Sequence, residues 1–384
     1  RKDETYLCSD VLTMRGYVVI PKVFALLVPV VSTFSPVTPV HILPSTSLIT
    51  NVKASSYETN QQQDLHGIST LTLLEHIQFD VPNHQYALDF YLKLLGCGLD
   101  PRTAVNLMDN DQIFVEENLI WPNCGANQFH LVQGETANVV SGHIGLRYKS
   151  LKALKDRLIA ADSMETDKKC FSSYEIIKDP YGNECIKIQD RYGNMFHCRE
   201  GPEINKEHRQ PLISSSQAEE FGDIAIKFGM EESECRGIDY IELHCPTGTA
   251  AKIASFYDAV FDATTNIVEN NGQSVALIAF GIVDNGRASQ YLIFRETTSV
   301  TPEYNGIHVA VYVGQNERDF EQAFRNAEMA DIIWVNPRFS DKVETLDEAR
   351  SLQQFRFKDI TDLKTGEPIF YLEHEIRSVE HEMF

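Results

Sequence analysis

Four histidines stand at matched distances in this sequence. His76 opens the stretch Leu74-Glu75-His76-Ile77-Gln78-Phe79-Asp80-Val81, and His130 lies 54 residues later in Gln128-Phe129-His130-Leu131. His143 opens Gly142-His143-Ile144-Gly145-Leu146, and His197 lies 54 residues later, after Gly193-Asn194-Met195-Phe196. Imidazole binds zinc, iron, nickel and copper, and it exchanges protons near neutral pH. Three or four such groups brought together, with one position left to water or substrate, would make a metal centre able to hold and polarise a small oxygen ligand. A single strand histidine is more often a satisfied core residue, so the weight rests on the matched spacing.

The elements that must position these side chains are written four times. Alternation in the opening stretch puts His76, Gln78 and Asp80 on one strand face and Ile77, Phe79 and Val81 on the other. A helix is expected from Asn83 to Leu95, with Ala87, Phe90, Tyr91 and Leu94 on one stripe and Gly96 as its stop. In the second copy a helix follows Ser150, with Leu151, Leu154 and Leu158 on one face. Tyr240-Ile241-Glu242-Leu243-His244 opens a third copy, whose helix carries Ile253, Phe256, Tyr257, Val260 and Phe261. Gly306-Ile307-His308-Val309-Ala310 opens a fourth, whose helix carries Phe320, Ala323, Phe324 and Ala327. The step is 67 residues from His76 to His143 and 68 from Tyr240 to His308. Each copy reads as one strand, one helix and about three strands, a unit that exposes one sheet face and must pair with another to bury it.

These units, and the endings at Gln128-Phe129-His130-Leu131 and Gly193-Asn194-Met195-Phe196-His197, resemble the vicinal oxygen chelate superfamily of glyoxalases, bleomycin-resistance proteins and extradiol dioxygenases. The resemblance covers roughly residues 72 to 377 and implies an α+β fold of four βαβββ modules paired into two curved mixed-sheet lobes. Pairing neighbouring copies gives a first lobe at 72–200, a linker at 201–236 and a second lobe at 237–377. Family members with metal activity take ligands from the first and last strands of paired modules. Here those slots are His76, His130, His143 and His197, with Gln128 facing the same side as His130 one pleat earlier. The last slot is usually a glutamate, so His197 departs from the pattern and weakens the case for two-histidine-one-carboxylate oxygenase chemistry. The resemblance implies a divalent metal (iron, zinc, manganese or nickel) and no organic cofactor. Glu184, Glu175 and Tyr174, on middle strands of the second copy, are the candidate acid, base and hydrogen-bond donor.

In the second half the corresponding slots hold Tyr240, Leu292, His308 and an aromatic near Gly366–Tyr371. That half is expected to pack, dimerise or form an apolar pocket, with a displaced site through Glu242 and His244 as the less favoured alternative. Two functions follow. One is a metal-dependent enzyme acting on a small oxygen-rich substrate, as a lyase, isomerase or ring-cleaving dioxygenase. The other is a metal-free module that binds an apolar small molecule, as resistance proteins of this fold do. A scaffold that kept only the fold is a third.

With 55 acidic against 34 basic residues and a net charge of −21, the chain repels phosphate backbones and anionic lipid, so no nucleic-acid partner is expected. Eight cysteines without a C-x-x-C pair suggest free core thiols rather than a zinc ribbon or a disulfide scaffold. Residues 1–70 contain a short apolar run, Val23–Val31, then a stretch rich in Ser, Thr, Asn, Gln and Pro. They read as a signal or transit presequence for a plastid or the secretory pathway, or else as a disordered N-terminus of a cytoplasmic protein. No other run is apolar enough to cross a bilayer, so the mature protein is expected to be soluble, acting on a small molecule and compatible with a homodimer. The tail around Glu373-His374-Glu375 and Glu380-His381-Glu382, including residues 378–384, reads as a solvated acidic end.

Overall fold

The computed structural model describes residues 67–100, 119–164, 169–178, 183–204, 233–284, 287–298, 304–381 and 384. The expected presequence falls outside them up to residue 66, as does most of the expected linker.

Every copy begins with a strand buried on both sides. In copy one this is β2 (Leu71–Val81), preceded by the two-residue β1 (Gly67–Ile68). Ile77, Phe79 and Val81 face the helices, while His76 and Gln78 face the other way and are also buried. Asn83 caps α1 (His84–Ala87) by accepting from the Tyr86 amide, and the helix continues as a π-helical turn over Leu88–Leu94. It stops where expected, at Gly96, whose φ of 74° suits a residue without a Cβ. Four short strands complete the copy: β3 (Gly98–Leu99), β4 (Leu119–Ile120), β5 (Pro122–Cys124) and β6 (Asn127–Gln133).

Copy two runs β7 (His143–Tyr148), α2 (Lys152–Asp162), β8 (Phe171–Lys178), β9 (Glu184–Asp190) and β10 (Met195–Glu200). Copy three runs β11 (Cys235–Pro246), α3 (Ala250–Phe261), β12 (Thr265–Asn270), β13 (Gln273–Asp284) and β14 (Arg287–Thr297). Copy four runs β15 (His308–Val313), α4 (Glu317–Met329), the short α5 (Leu346–Leu352), β16 (Gln354–Thr361) and β17 (Pro368–Ser378). In this last copy a single bridge, Ile333 to Phe357, replaces the first of the three later strands. The apolar stripes read from the sequence are the ones buried: Ile253, Phe256, Tyr257 and Val260 on α3, and Phe320, Ala323, Phe324 and Ala327 on α4.

Two mixed sheets result. One has nine strands along the path β1-β13-β14-β11-β7-β10-β9-β8, with β12 beside β13. The other has eight, along β16-β17-β15-β2-β6-β5-β3, with β4 beside β6. This is the α+β arrangement of four paired modules, with a different choice of partners. Copy one pairs with copy four, through antiparallel β2 and β15, and copy two pairs with copy three, through antiparallel β7 and β11. Sequential lobes at 72–200 and 237–377 are therefore not what the sheets form. Antiparallel pairing of first strands needs only two copies with matching edges, and periodicity within a copy carries no information about which other copy supplies the edge.

One covalent tie crosses between sheets. Cys124 on β5 is disulfide-bonded to Cys235 on β11, closing 111 residues, so these two are not free thiols. Cys97, Cys170, Cys185, Cys198 and Cys245 remain free. No helix among the described residues is long and apolar enough to cross a membrane.

Candidate metal centre

The exchanged pairing divides the four expected histidines. His76 and His130 stack at 3.6 Å on the eight-stranded sheet, and His143 and His197 approach to 3.8 Å on the nine-stranded one. The expected single centre of His76, His130, His143 and His197 does not form, because each pair lies on its own sheet.

The eight-stranded sheet instead brings His76 against copy four. His76 Nε2 lies 3.1 Å from His308 Nε2, and His308 Nε2 lies 3.6 Å from Glu375 Oε2. One donor atom from each of His76, His308 and Glu375 falls within 4.8 Å of the others, and all three residues are buried. The register explains the meeting. Ala310 on β15 pairs with His76 across one edge and with Glu375 across the other, and His308 is one pleat away on the same face. Two ligand nitrogens each about 2.1 Å from one ion can be no more than about 4.2 Å apart, so the two Nε2 atoms suit a shared cation.

The tautomers suit it as well. Glu75 Oε2 accepts from His76 Nδ1 at 2.7 Å, which leaves Nε2 as the ring atom turned toward His308. A carboxylate behind a ligating imidazole is the usual way to fix that orientation. His308 Nδ1 is buried without a hydrogen-bond partner among the described residues, which leaves its Nε2 as the ring's only placed polar atom. Burial, then the neighbouring His76, holds His308 well below the ordinary imidazole range, so it is neutral and able to coordinate. Burial alone would raise Glu375, but Arg356 and Arg377 overcome it and keep the carboxyl well below its usual value. Arg356 donates to Glu375 Oε2 at 2.6 Å and to Glu373 Oε1 at 3.0 Å, and Arg377 donates to Glu375 Oε1 and Glu75 Oε2. Three buried carboxylates thus face two buried guanidiniums. A divalent cation would offset the negative excess, and the donor set fits one.

The remaining expected residues sit elsewhere. His130 stacks between His76 and Trp121 and bonds through Nε2 to Gln128 Oε1 at 3.0 Å, so it buttresses the His76 ring rather than joining the donor cluster. Gln128 is the register partner of His76, held by its own donation to Asn123 and Asp100. Glu184 is on the surface, where Lys155 Nζ donates to both its oxygens at 2.9 Å. Glu175 is exposed on edge strand β8, and Tyr174 beside it packs on Phe171, so neither reaches either histidine pair.

Two expectations about copy four are corrected. His308 is not isolated among apolar residues, and Glu373-His374-Glu375 is not a solvated tail. All three lie buried in β17, with His374 facing the core, stacked on Phe357 and bonded to the Tyr257 hydroxyl. The stretch 330–353 lengthens copy four, so the closing strand comes later than the 54-residue spacing suggests. A segment of that stretch covers the centre. Phe339 meets the His308 ring edge-on at 5.7 Å and lies 4.4 Å from the Arg356 guanidinium, and Asn336 donates to both oxygens of Glu373.

No protein-family model matches the chain, and no curated protein matches it. Among solved structures it is similar to glyoxalase I from Zea mays, at 12% identity over 81% of this chain and 93% of that one, with a TM-score of 0.48. A putative dioxygenase from Bacillus subtilis aligns at 13% identity over 82% and 87%, with a TM-score of 0.45. A glyoxalase/bleomycin resistance protein/dioxygenase superfamily member from Sphaerobacter thermophilus aligns at 18% identity over 34% and 98%, with a TM-score of 0.24. In this chain four strand–helix–strands modules, each with parallel first and last strands, are joined in pairs by antiparallel first strands, the α+β arrangement expected from the repeat.

Proposed function

We propose that this chain is a metal-dependent enzyme whose divalent cation is held by His76, His308 and Glu375, acting on a small oxygen-rich substrate. One observation carries the reading: two Nε2 atoms 3.1 Å apart, one with its lone pair set by Glu75, beside a carboxylate oxygen at 3.6 Å. Two histidines and a carboxylate leave coordination positions for water and substrate, and such a set serves zinc hydrolysis and lyase chemistry as well as iron oxygenation. Bound there, the cation would supply Lewis acidity to a substrate carbonyl, enol or catechol oxygen. The chain's own residues do the rest. Glu75 holds the His76 tautomer, and His130 and Trp121 fix its plane. Arg356 and Arg377 keep Glu375 ionised, and Phe339 limits water. The side chains around this centre are imidazole, carboxylate and guanidinium, which favours a polar ligand over the apolar cargo of a metal-free binding module.

The test is elemental analysis after equilibration with zinc, manganese, nickel or iron(II). One ion per chain is expected, lost in His76→Ala and His308→Ala and retained in His143→Ala. Oxygen uptake with catechols by the iron form would select ring cleavage, and its absence the isomerase or lyase class. Chain that takes up none of these metals would overturn the reading.

A further inference from the structure

The nine-stranded sheet repeats the metal-bearing face slot by slot with its charge reversed. Aligning the two sheets on their registers, β15 corresponds to β7, β2 to β11, β17 to β10 and β16 to β9. His76 and Glu375 flank Ala310; Tyr240 and His197 flank Gly145. His308 pairs with Gln78, as His143 pairs with Glu242. The bulge residue Glu75 corresponds to Asp239, and its partner Arg377 to Arg199, which forms an ion pair with Asp239. Arg356 lies across from Glu375, and Lys187 lies across from His197.

The cationic frame is thus kept and the carboxylate is not. In place of Glu375, which Arg356 and Arg377 share, stands the imidazole of His197. Arg147 and Arg199 both converge on Asp239, and Lys187 makes no ion pair among the described residues. Glu242 does not make good the difference, because Arg295 clamps both its oxygens at 2.8 Å. Arg147 and Arg199 therefore share one carboxylate, and Lys187 stands beside them with the exposed Glu175 of β8 across from it, on a chain whose net charge is −21. The metal donor set is broken too, since a phenol replaces one imidazole. Tyr240 Oη lies 3.3 Å from His197 Nδ1, and in the tautomer where the phenol donates, the His197 proton is on Nε2 and free to serve an anion. The face is also reachable: the His143 side chain is 19% exposed and the Arg199 side chain 37%.

We propose that this second cleft is not a metal centre but a binding site for a small oxyanion, a carboxylate or phosphate group. Lys187 and Arg199 supply the charge, and His197 supplies a directed N–H. An anion between them restores the balance that Glu375 provides in the other sheet, and charge-assisted bonds to it gain strength beside a partly buried strand face.

Calorimetric titration of the full chain with inorganic phosphate and, separately, with succinate tests this and distinguishes the two sources. One saturable equivalent of at least one probe is expected, weakened by added salt. Lys187→Gln, at a partly exposed position, should weaken it about tenfold, the scale of one lost charge-assisted bond. His197→Glu should abolish it by restoring the missing carboxylate, with cation uptake at His76 and His308 unchanged. The proposal fails if neither probe binds saturably, or if both variants bind as the unaltered chain does. It also fails if the chain takes up a second metal ion that His143→Ala removes.

Discussion

Arg338 Nη1 donates to Asp80 Oδ1 at 3.0 Å, joining residues 258 apart in sequence. The bond fastens the inserted segment of copy four, which carries Phe339 over His308, to the end of the strand that carries His76. An ion pair this exposed contributes about 0–1 kcal/mol to stability. Its effect is on access instead. Arg338→Ala is expected to leave the melting temperature nearly unchanged while a chelator strips bound cation faster. An unchanged stripping rate would show that the segment does not gate the centre.

Glu375 offers a sharper test of stability. Glu375→Gln leaves Arg356 and Arg377 with one buried carboxylate fewer between them, and breaking a buried ion pair from one side costs about 3–5 kcal/mol. Denaturant unfolding of metal-free protein should show a loss of that order. A loss below about 1 kcal/mol would mean that the two guanidiniums find other partners or water.

Reduction should be nearly as costly. The Cys124–Cys235 bond closes a long loop, for which the chain-entropy treatment gives about 4–5 kcal/mol. A clear fall in melting temperature with reductant is expected, absent in the Cys124→Ser/Cys235→Ser double variant. Equal sensitivity of that variant would place the effect on another pair of thiols.

Stability should also fall on mild acidification through His84. Burial lowers this imidazole from 6.5 to about 4, against a smaller opposing bond to the Leu131 backbone. Below pH 6.5 the unfolded chain binds a proton that the folded chain refuses until about pH 4, so the contribution is complete above 6.5 and declines as pH falls. The slope is about 1.4 kcal/mol per pH unit for one proton. His84→Gln should flatten the stability profile between pH 6.5 and 4 by that amount, and an unaltered profile would assign the acid sensitivity to other groups.

Gly145 is fixed by a neighbour. A Cβ there would stand 2.2 Å from the Tyr240 ring. Gly145→Ala should therefore cost about 1–3 kcal/mol, the usual range for overpacking, and Tyr240→Leu should recover part of it. Failure of the second change to recover anything would place the strain in the backbone rather than the ring.

The sequence displays the modules, their helices and the histidine slots, because period-2 and helical patterns are local. His76 is legible for that reason, and so is the Gly96 stop. The identity of its partners is not, because β2 can present the same edge to β7 or to β15, and only the packing of the complete chain decides. Glu375 is hidden by two further effects. The inserted stretch before β16 displaces the closing strand, and the run Glu373-His374-Glu375, polar at every position, resembles solvated chain. It is buried because Arg356 and Tyr257 approach from β16 and α3, while Arg377 turns onto Glu375 from two residues along the same strand. Cys124 and Cys235 are equally silent, with 111 residues and two modules between them.

The exchange of partners also sets an order of events during synthesis. His76 is among the earliest described residues to leave the ribosome, yet the imidazole that meets its Nε2 is 232 residues downstream, and Glu375 lies farther still. Copies two and three, adjacent in sequence, can close their sheet while β2, already able to pair with β6 of its own copy, still lacks β15 on its other edge. Loop-closure entropy makes the later pairing the slow one. Until β17 is made, the proposed set of ligands is incomplete, so cation uptake there would come only after every strand of the other sheet has been synthesised.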